Sequence, residues 1–139
     1  MSELTSLIKL IKSSDGSHTL YRTDLNEHYH SVHGAKQESK HVFINAGLRD
    51  FINHSKSNKI SILEIGFGTG LNALMSADFI DEKDNIIIEY TALEPFPLSI
   101  EIIDQLNYTE SKKEKVIFSA IHTTYLKEFK KVSDRFLLK

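Results

Sequence analysis

The segment Glu64-Ile65-Gly66-Phe67-Gly68-Thr69-Gly70 sets a carboxylate two residues before the first of three alternating glycines. Glycine has no Cβ and tolerates positive φ, so such a loop brings backbone N–H groups close to a ligand. An apolar, β-branched run over residues 60–65 leads into it. Leu71, Leu74, Met75 and Phe79 follow with helical spacing. The loop therefore opens a helix, whose positive dipole end strengthens the hold on negative or polar groups. Such a corner suits the polar part of a nucleotide-like cofactor. A second acid, Glu94, ends the apolar stretch 86–93, 24 residues after Gly70. A carboxylate there is able to accept from both hydroxyls of a ribose. It equally suits the first turn of a following helix, where the dipole favours an acid.

Other polar residues gather upstream. Tyr29, Ser31, Glu38 and Ser39 lie in and just after a polar, irregular stretch over residues 26–36. Glu38 or Ser39 serves as well for a helix N-cap as for a binding site. His28, His30, His33 and His41 include a His-x-His pair. No neighbouring carboxylate completes a ligand set, so they read as solvated loop histidines and no metal is expected. Cysteine is absent, which excludes disulfides, thiolate metal sites and cysteine nucleophiles.

The elements that must hold these groups follow from periodicity. Residues 7–12 and 18–22 flank Asp15-Gly16, a strong hairpin signal. Residues 26–36 read as loop. Apolar positions recur at three and four from Glu38 to Asn53, a helix. The strand over 60–65, the helix over 71–79 and the strand over 86–93 come next. The last is nearly continuous in apolar residues, as expected of a strand buried on both faces. Glu94-Pro95-Phe96-Pro97 breaks it, and Leu98, Ile102 and Leu106 continue as a helix with Pro97 in its first turn. Residues 115–121 fit strand or helix. The capping box Ser111-x-x-Glu114 favours helix. Arg135-Phe136-Leu137-Leu138 reads as a strand without an evident partner. The β-α-β-α order implies an α/β fold with a parallel sheet. Two recognisable core strands leave a sheet edge open to self-association or to a partner.

The run Gly66-Phe67-Gly68-Thr69-Gly70-Leu71-Asn72, taken with Glu64, resembles motif I of class I S-adenosylmethionine (SAM) methyltransferases. Two further segments sharpen this. One is Tyr29-His30-Ser31-x-x-Gly34-Ala35-x-x-Glu38-Ser39-x-His41-Val42-Phe43-Ile44-x-x-Gly47-Leu48, and the other is Ala92-Leu93-Glu94-Pro95-Phe96-Pro97-Leu98. Together they resemble the methyltransferases that complete the 5-methylaminomethyl group on wobble uridine of tRNA. This is the MnmD type, equivalent to the N-terminal methyltransferase domain of MnmC.

The resemblance implies a class I methyltransferase Rossmann-like fold and a SAM cofactor. It implies that Gly66, Phe67, Gly68, Gly70 and Asn72 contact the cofactor, that Glu64 organises the loop beneath it by accepting N–H bonds, and that Glu94 and Pro95 meet the ribose end. It also implies that Tyr29, Ser31 and Glu38 line the mouth of the pocket and that tRNA is the partner. The family's later Asp-x-Phe-x-Pro motif, at the amine-binding end of the pocket, has no counterpart here. The expectation is therefore that residues 1–139 are the N-terminal part of one methyltransferase domain, roughly its first 60% by the usual size of such domains. That part is expected to be incomplete and inactive alone, with its catalytic residues unknown.

Two other classes stay open. Gly68-x-Gly70-x-x-Ala73 also matches the dinucleotide form of a nicotinamide-dependent oxidoreductase. A non-catalytic, truncated protein or a binding subunit is the third reading. Net charge is −2, which announces no nucleic-acid binder. The distribution is uneven, with eight Lys/Arg against three Asp/Glu in residues 111–139 and nine against sixteen before them. A basic end meets phosphates, although a solvated helix face is the plainer reading. No apolar run reaches the length of a membrane span, and a cytoplasmic location is expected.

Overall fold

The structure, a computed structural model, describes residues 7–81, 85–123 and 128–139. Strands β1 (Ile8–Lys12) and β2 (His18–Arg22) form the expected hairpin in antiparallel register, Leu10 opposite Leu20. A two-residue strand, β3 (Glu27–His28), pairs with β2, so the stretch read as loop adds a third strand to this small sheet. Helical structure then runs from Ala35 to His54, here called α1. Ala35–Glu38 and Asp50–His54 are α-helical, and Ser39–Arg49 between them takes the wider π spacing. That spacing breaks the expected three-and-four stripe. Ile44 and Leu48 are buried, whereas Val42 and Phe51 are 60% and 56% exposed.

The hairpin tip has a specific task. A helix start leaves backbone N–H groups without partners. Here Gly34 precedes the helix and has no side chain to cap it. The tip caps it from a distance instead. Ala35 N donates to Ser13 Oγ (3.2 Å), Lys36 N to Ser17 Oγ (3.0 Å) and Gln37 N to Asp15 Oδ2 (3.0 Å). A Cβ at Gly34 would stand 2.7 Å from Asp15 Oδ2, so the tip docks this closely because the position is a glycine. Burial alone would raise the Asp15 carboxyl, but the Ser17 hydroxyl and the N–H groups of Ser17 and Gln37 outweigh it and hold it at about 2.

The second sheet comprises β4 (Lys59–Ile65), β5 (Ile87–Leu93), β6 (Lys130–Ser133) and β7 (Phe136–Leu138), in spatial order β4-β5-β7-β6. β4, β5 and β7 are parallel and β6 closes the far edge antiparallel to β7. The C-terminal strand therefore does have partners, and three parallel strands are present where two were recognisable from periodicity. Helix α2 (Leu71–Asp81) follows the glycine loop. A single turn, α3 (Ile100–Ile103), stands where a longer helix was expected. It stops because Gln105 and Leu106 bond back only three residues and Asn107 turns to the hairpin, with Nδ2 donating to Gly16 O (2.9 Å). Helix α4 (Lys112–His122) starts with both bonds of the Ser111–Glu114 capping box.

The helices cover one face of this sheet. α2 packs on β5 and β6, α4 on α2 and β6, and α1 on α2. Beneath them Ile60, Ile88, Tyr90, Phe136 and Leu138 are buried. The opposite face is bare among the described residues. Leu63, Ile65, Ile87 and Leu93 are 64%, 73%, 43% and 53% exposed. β5 is thus buried on one face and not on two. The outer edge of β4 is unpaired among the described strands. An apolar depression of about 410 Å³ lies beside β4 and α1, lined by Val42, Phe43, Phe51, Ile60 and Ile62.

Candidate functional site

Ligands of open α/β sheets bind in the crevice beyond the carboxyl ends of the strands. Here the ends of β4, β5 and β7 meet at the glycine loop. A cavity of about 180 Å³ opens there, floored by Phe67 and Gly68 and walled by Ala92, Leu98, Ile121 and Leu138. Glu94, Pro97, His122 and Lys139 complete its lining. Its volume is below the roughly 300 Å³ of a typical small-molecule site, so it has room for part of a nucleotide-sized group and not for the whole of one. An apolar slot with a carboxylate in its lining fits the nucleoside end of such a group.

Glu94 ties this corner together. Its Oε2 accepts from Gly68 N and its Oε1 from Phe96 N, both at 2.9 Å. A carboxylate has about four acceptor positions, so two remain for ligand hydroxyls. The loop itself turns through three positive φ values, +81° at Gly66, +54° at Gly68 and +72° at Gly70. Only Gly66 faces open space. A Cβ at Gly68 would meet the Tyr29 ring at 3.0 Å, and one at Gly70 would meet His122 Nε2 at 2.9 Å. The side-chain positions of two of the glycines are thus taken by protein groups.

Glu64 does not bond the loop backbone in this arrangement. It is buried, and its oxygens accept from Asn72 Nδ2 (2.9 Å) and Tyr90 Oη (2.8 Å). Ser39 Oγ donates to Asn72 Oδ1 (2.6 Å), which makes a four-residue chain from α1 through α2 to β4 and β5. Ser39 is therefore neither an N-cap nor a pocket group. Burial raises the Glu64 carboxyl above the usual range. The Asn72 and Tyr90 bonds oppose that shift, and the Glu94 charge adds to it. The Tyr90 phenol is pushed up by the same burial and by Glu64.

The remaining expected residues sit at graded distances. Tyr29 is half-buried against Gly68, and burial raises its phenol. Ser31 N donates to Glu38 Oε2 (2.8 Å), and these two line a separate depression with His33, Gln37 and His41, not the mouth of the cavity where the resemblance put them. Pro95 is exposed, and Pro97 lines the cavity instead. The histidines are not all solvated. His28, His33 and His41 are exposed, but His30 turns inward and its Nε2 bonds Thr69 Oγ1 at 3.0 Å. His122, at the end of α4, bonds Thr69 O at 3.1 Å and lines the cavity. No group of three metal-ligating side chains occurs among the described residues. Leu98 closes the Ala92–Leu98 segment, but neither His122 nor Ile121 nor Leu138 was signalled as a cavity residue by any motif. Ile121 and His122 come from the last turn of α4 and Leu138 from β7, two elements that meet the glycine loop only in the folded chain.

The class of protein that the fold and the site define is an α/β protein with a strand–glycine loop–helix corner and a cavity at the carboxyl ends of its parallel strands. Over 80 residues the chain is 36% identical to the tRNA 5-methylaminomethyl-2-thiouridine biosynthesis bifunctional protein MnmC of Leptospira interrogans, a match spanning 55% of this chain and 12% of that protein. The protein of the same name from Pseudomonas syringae is 34% identical over the same length. These matches make the chain an MnmC-related sequence, although it spans about an eighth of those relatives. The crystal structure of MNMC2 from Aquifex aeolicus superposes with a TM-score of 0.72 and 23% identity, covering 95% of this chain and 41% of that one. That likeness establishes the shared α/β fold. No protein-family model matches the chain. Among the described residues no helix is long and apolar enough to cross a membrane.

Proposed function

We propose that this chain carries the cofactor-binding part of a class I SAM-dependent methyltransferase acting on the aminomethyl group of a modified wobble uridine in tRNA. The observation that carries the reading is Glu94, fixed at the end of β5 by the Gly68 N–H at 2.9 Å, with acceptor positions to spare in the lining of the cavity. SAM would supply an electrophilic sulfonium methyl group. The residues of this chain bind and orient. Ala92, Leu98, Ile121 and Leu138 exclude water from a flat base, Glu94 accepts from ribose hydroxyls, and the glycine loop with Tyr29 borders the polar end. Positioning of this kind is a large share of the catalysis of a methyl transfer. The attacking amine must be neutral, which needs a nearby proton acceptor. None of the described cavity groups is set for that role, so the chain alone should bind cofactor and transfer nothing.

One observation favours a second reading. Ala73 is fully buried, as the third position of a dinucleotide fingerprint requires for close helix–strand packing. Thermal shift separates the two, because a ligand that binds the folded state raises the midpoint by mass action. The proposal expects a rise with millimolar SAM and none with NADH. The reverse would replace it. Labelled SAM with tRNA bearing 5-aminomethyl-2-thiouridine should give no incorporation by this chain alone, and clear incorporation would overturn the claim that it is catalytically incomplete.

A further inference from the structure

We propose that His30 and His122 are positioning residues that grip Thr69 from two sides and so hold the glycine loop in its binding form. This rests on the proposed cofactor site. It also makes the N-terminal segment that supplies His30 a working part of that site.

Thr69 sits at the crown of the loop, between two glycines of positive φ, and is fully buried. Glycine loops lose much backbone freedom when they order, which weakens any ligand that must order them. This loop is held before a ligand arrives. His30, 39 residues earlier, bonds the Thr69 hydroxyl at 3.0 Å, and His122, 53 residues later, bonds its carbonyl at 3.1 Å. A carbonyl only accepts, so His122 Nε2 carries the proton and donates. The ring stands edge-on to Phe67 and Phe118, with centroids 5.7 and 4.6 Å away. Burial among them pushes the imidazole down to about 4, so it is neutral at physiological pH and its one N–H goes to Thr69. The closeness is built in at Gly70, where any Cβ would stand 2.9 Å from that nitrogen. On the other side Tyr29, next to His30, lies over Gly68. The loop is thus clasped by α4 and by the segment after β3, neither of which belongs to the strand and helix it joins.

The test compares His122→Phe, which keeps the ring and loses the donor, with His122→Gln, which keeps a donor. Thr69→Val and Thr69→Ser do the same for the hydroxyl. Two readings are taken on each: SAM affinity by calorimetry, and hydrogen exchange of the loop amides relative to those of β5. The clamp predicts that the Phe and Val variants each weaken SAM about tenfold and speed exchange at Gly70 while β5 stays protected, with Gln and Ser restoring both. Equal losses in Phe and Gln variants, or unchanged loop exchange in the Phe variant, would overturn it. A parent protein that binds no SAM sinks the proposed function, and the exchange rates then decide the clamp by themselves.

Discussion

On one face of the four-stranded sheet Ile60, Ile88, Tyr90 and Phe136 are buried on the side of the helices, while on the other Leu63, Ile65, Ile87 and Leu93 are between 43% and 73% exposed. The side chains are of the same kind, and the difference lies in what the chain stacks over them. Full burial of such a group is worth about 1.5–3 kcal/mol, so the covered face carries the stability and the bare face contributes little. The polar chemistry follows the covered side. Glu64 and Tyr90 lie beneath the helices and are joined to them through Asn72 of α2, and the cavity opens at the strand ends. A parallel sheet ordinarily has both faces covered. Among the described residues one layer is built, and the glycine corner belongs to it.

The sharpest contrast is between core and bare face. Phe136→Ala should cost about 3–5 kcal/mol by urea unfolding. Ile65→Ala should stay within about 0.5 kcal/mol. Similar losses would mean that the bare face is covered in solution. Next in size is the network behind the loop. Glu64→Leu leaves Asn72 Nδ2 and Tyr90 Oη inside without an acceptor and should cost about 2–4 kcal/mol, measured the same way. An unchanged midpoint would remove that carboxylate from the fold's support.

The hairpin tip gives a smaller and pH-dependent effect. Asp15→Ala should cost on the order of 1 kcal/mol, as for loss of a helix cap, reduced by solvent screening at this exposed site. The Asp15 carboxyl is lower in the folded protein, at about 2, than its ordinary value of 3.8. Its contribution is therefore complete above about 4 and disappears as pH falls through about 2. Parent and variant should converge in urea midpoint over that window, and parallel curves would contradict the assignment. The smallest change in stability belongs to Leu63→Lys with Ile65→Lys. It should leave the thermal midpoint in place while lowering the mass seen by light scattering, because an exposed apolar face and strand edge promote association. A parent that is already monomeric would remove self-association from the account.

Much of the corner was legible because its signals are local. The alternating glycines, the acid before them, Asp15-Gly16 and Ser111-x-x-Glu114 each announce a backbone geometry within a few residues. What was hidden depends on distant pairs. The two-residue β3 and the charged β6 exist through their neighbours and carry little pattern of their own. The π spacing of Ser39–Arg49 cannot be told from an α period over so few turns. β5 looked buried on both faces because the run Ile86-Ile87-Ile88 leads into it, yet Glu89 and Thr91 share a face with the exposed Ile87 and Leu93, a polar alternation that the isoleucine run masks. His30 and His122 meet at Thr69 from 39 and 53 residues away, a contact no spacing rule reveals.

The central claim is that the Glu94 corner holds SAM, and isothermal calorimetry of the chain with its Glu94→Gln variant tests it most directly. That change keeps the size and removes the charge, which weakens bonds worth about 1.5–3 kcal/mol each. The account predicts measurable SAM binding by the parent, none of NADH, and at least a tenfold loss in the variant. Equal SAM affinity in both proteins, or heat from NADH alone, would contradict it.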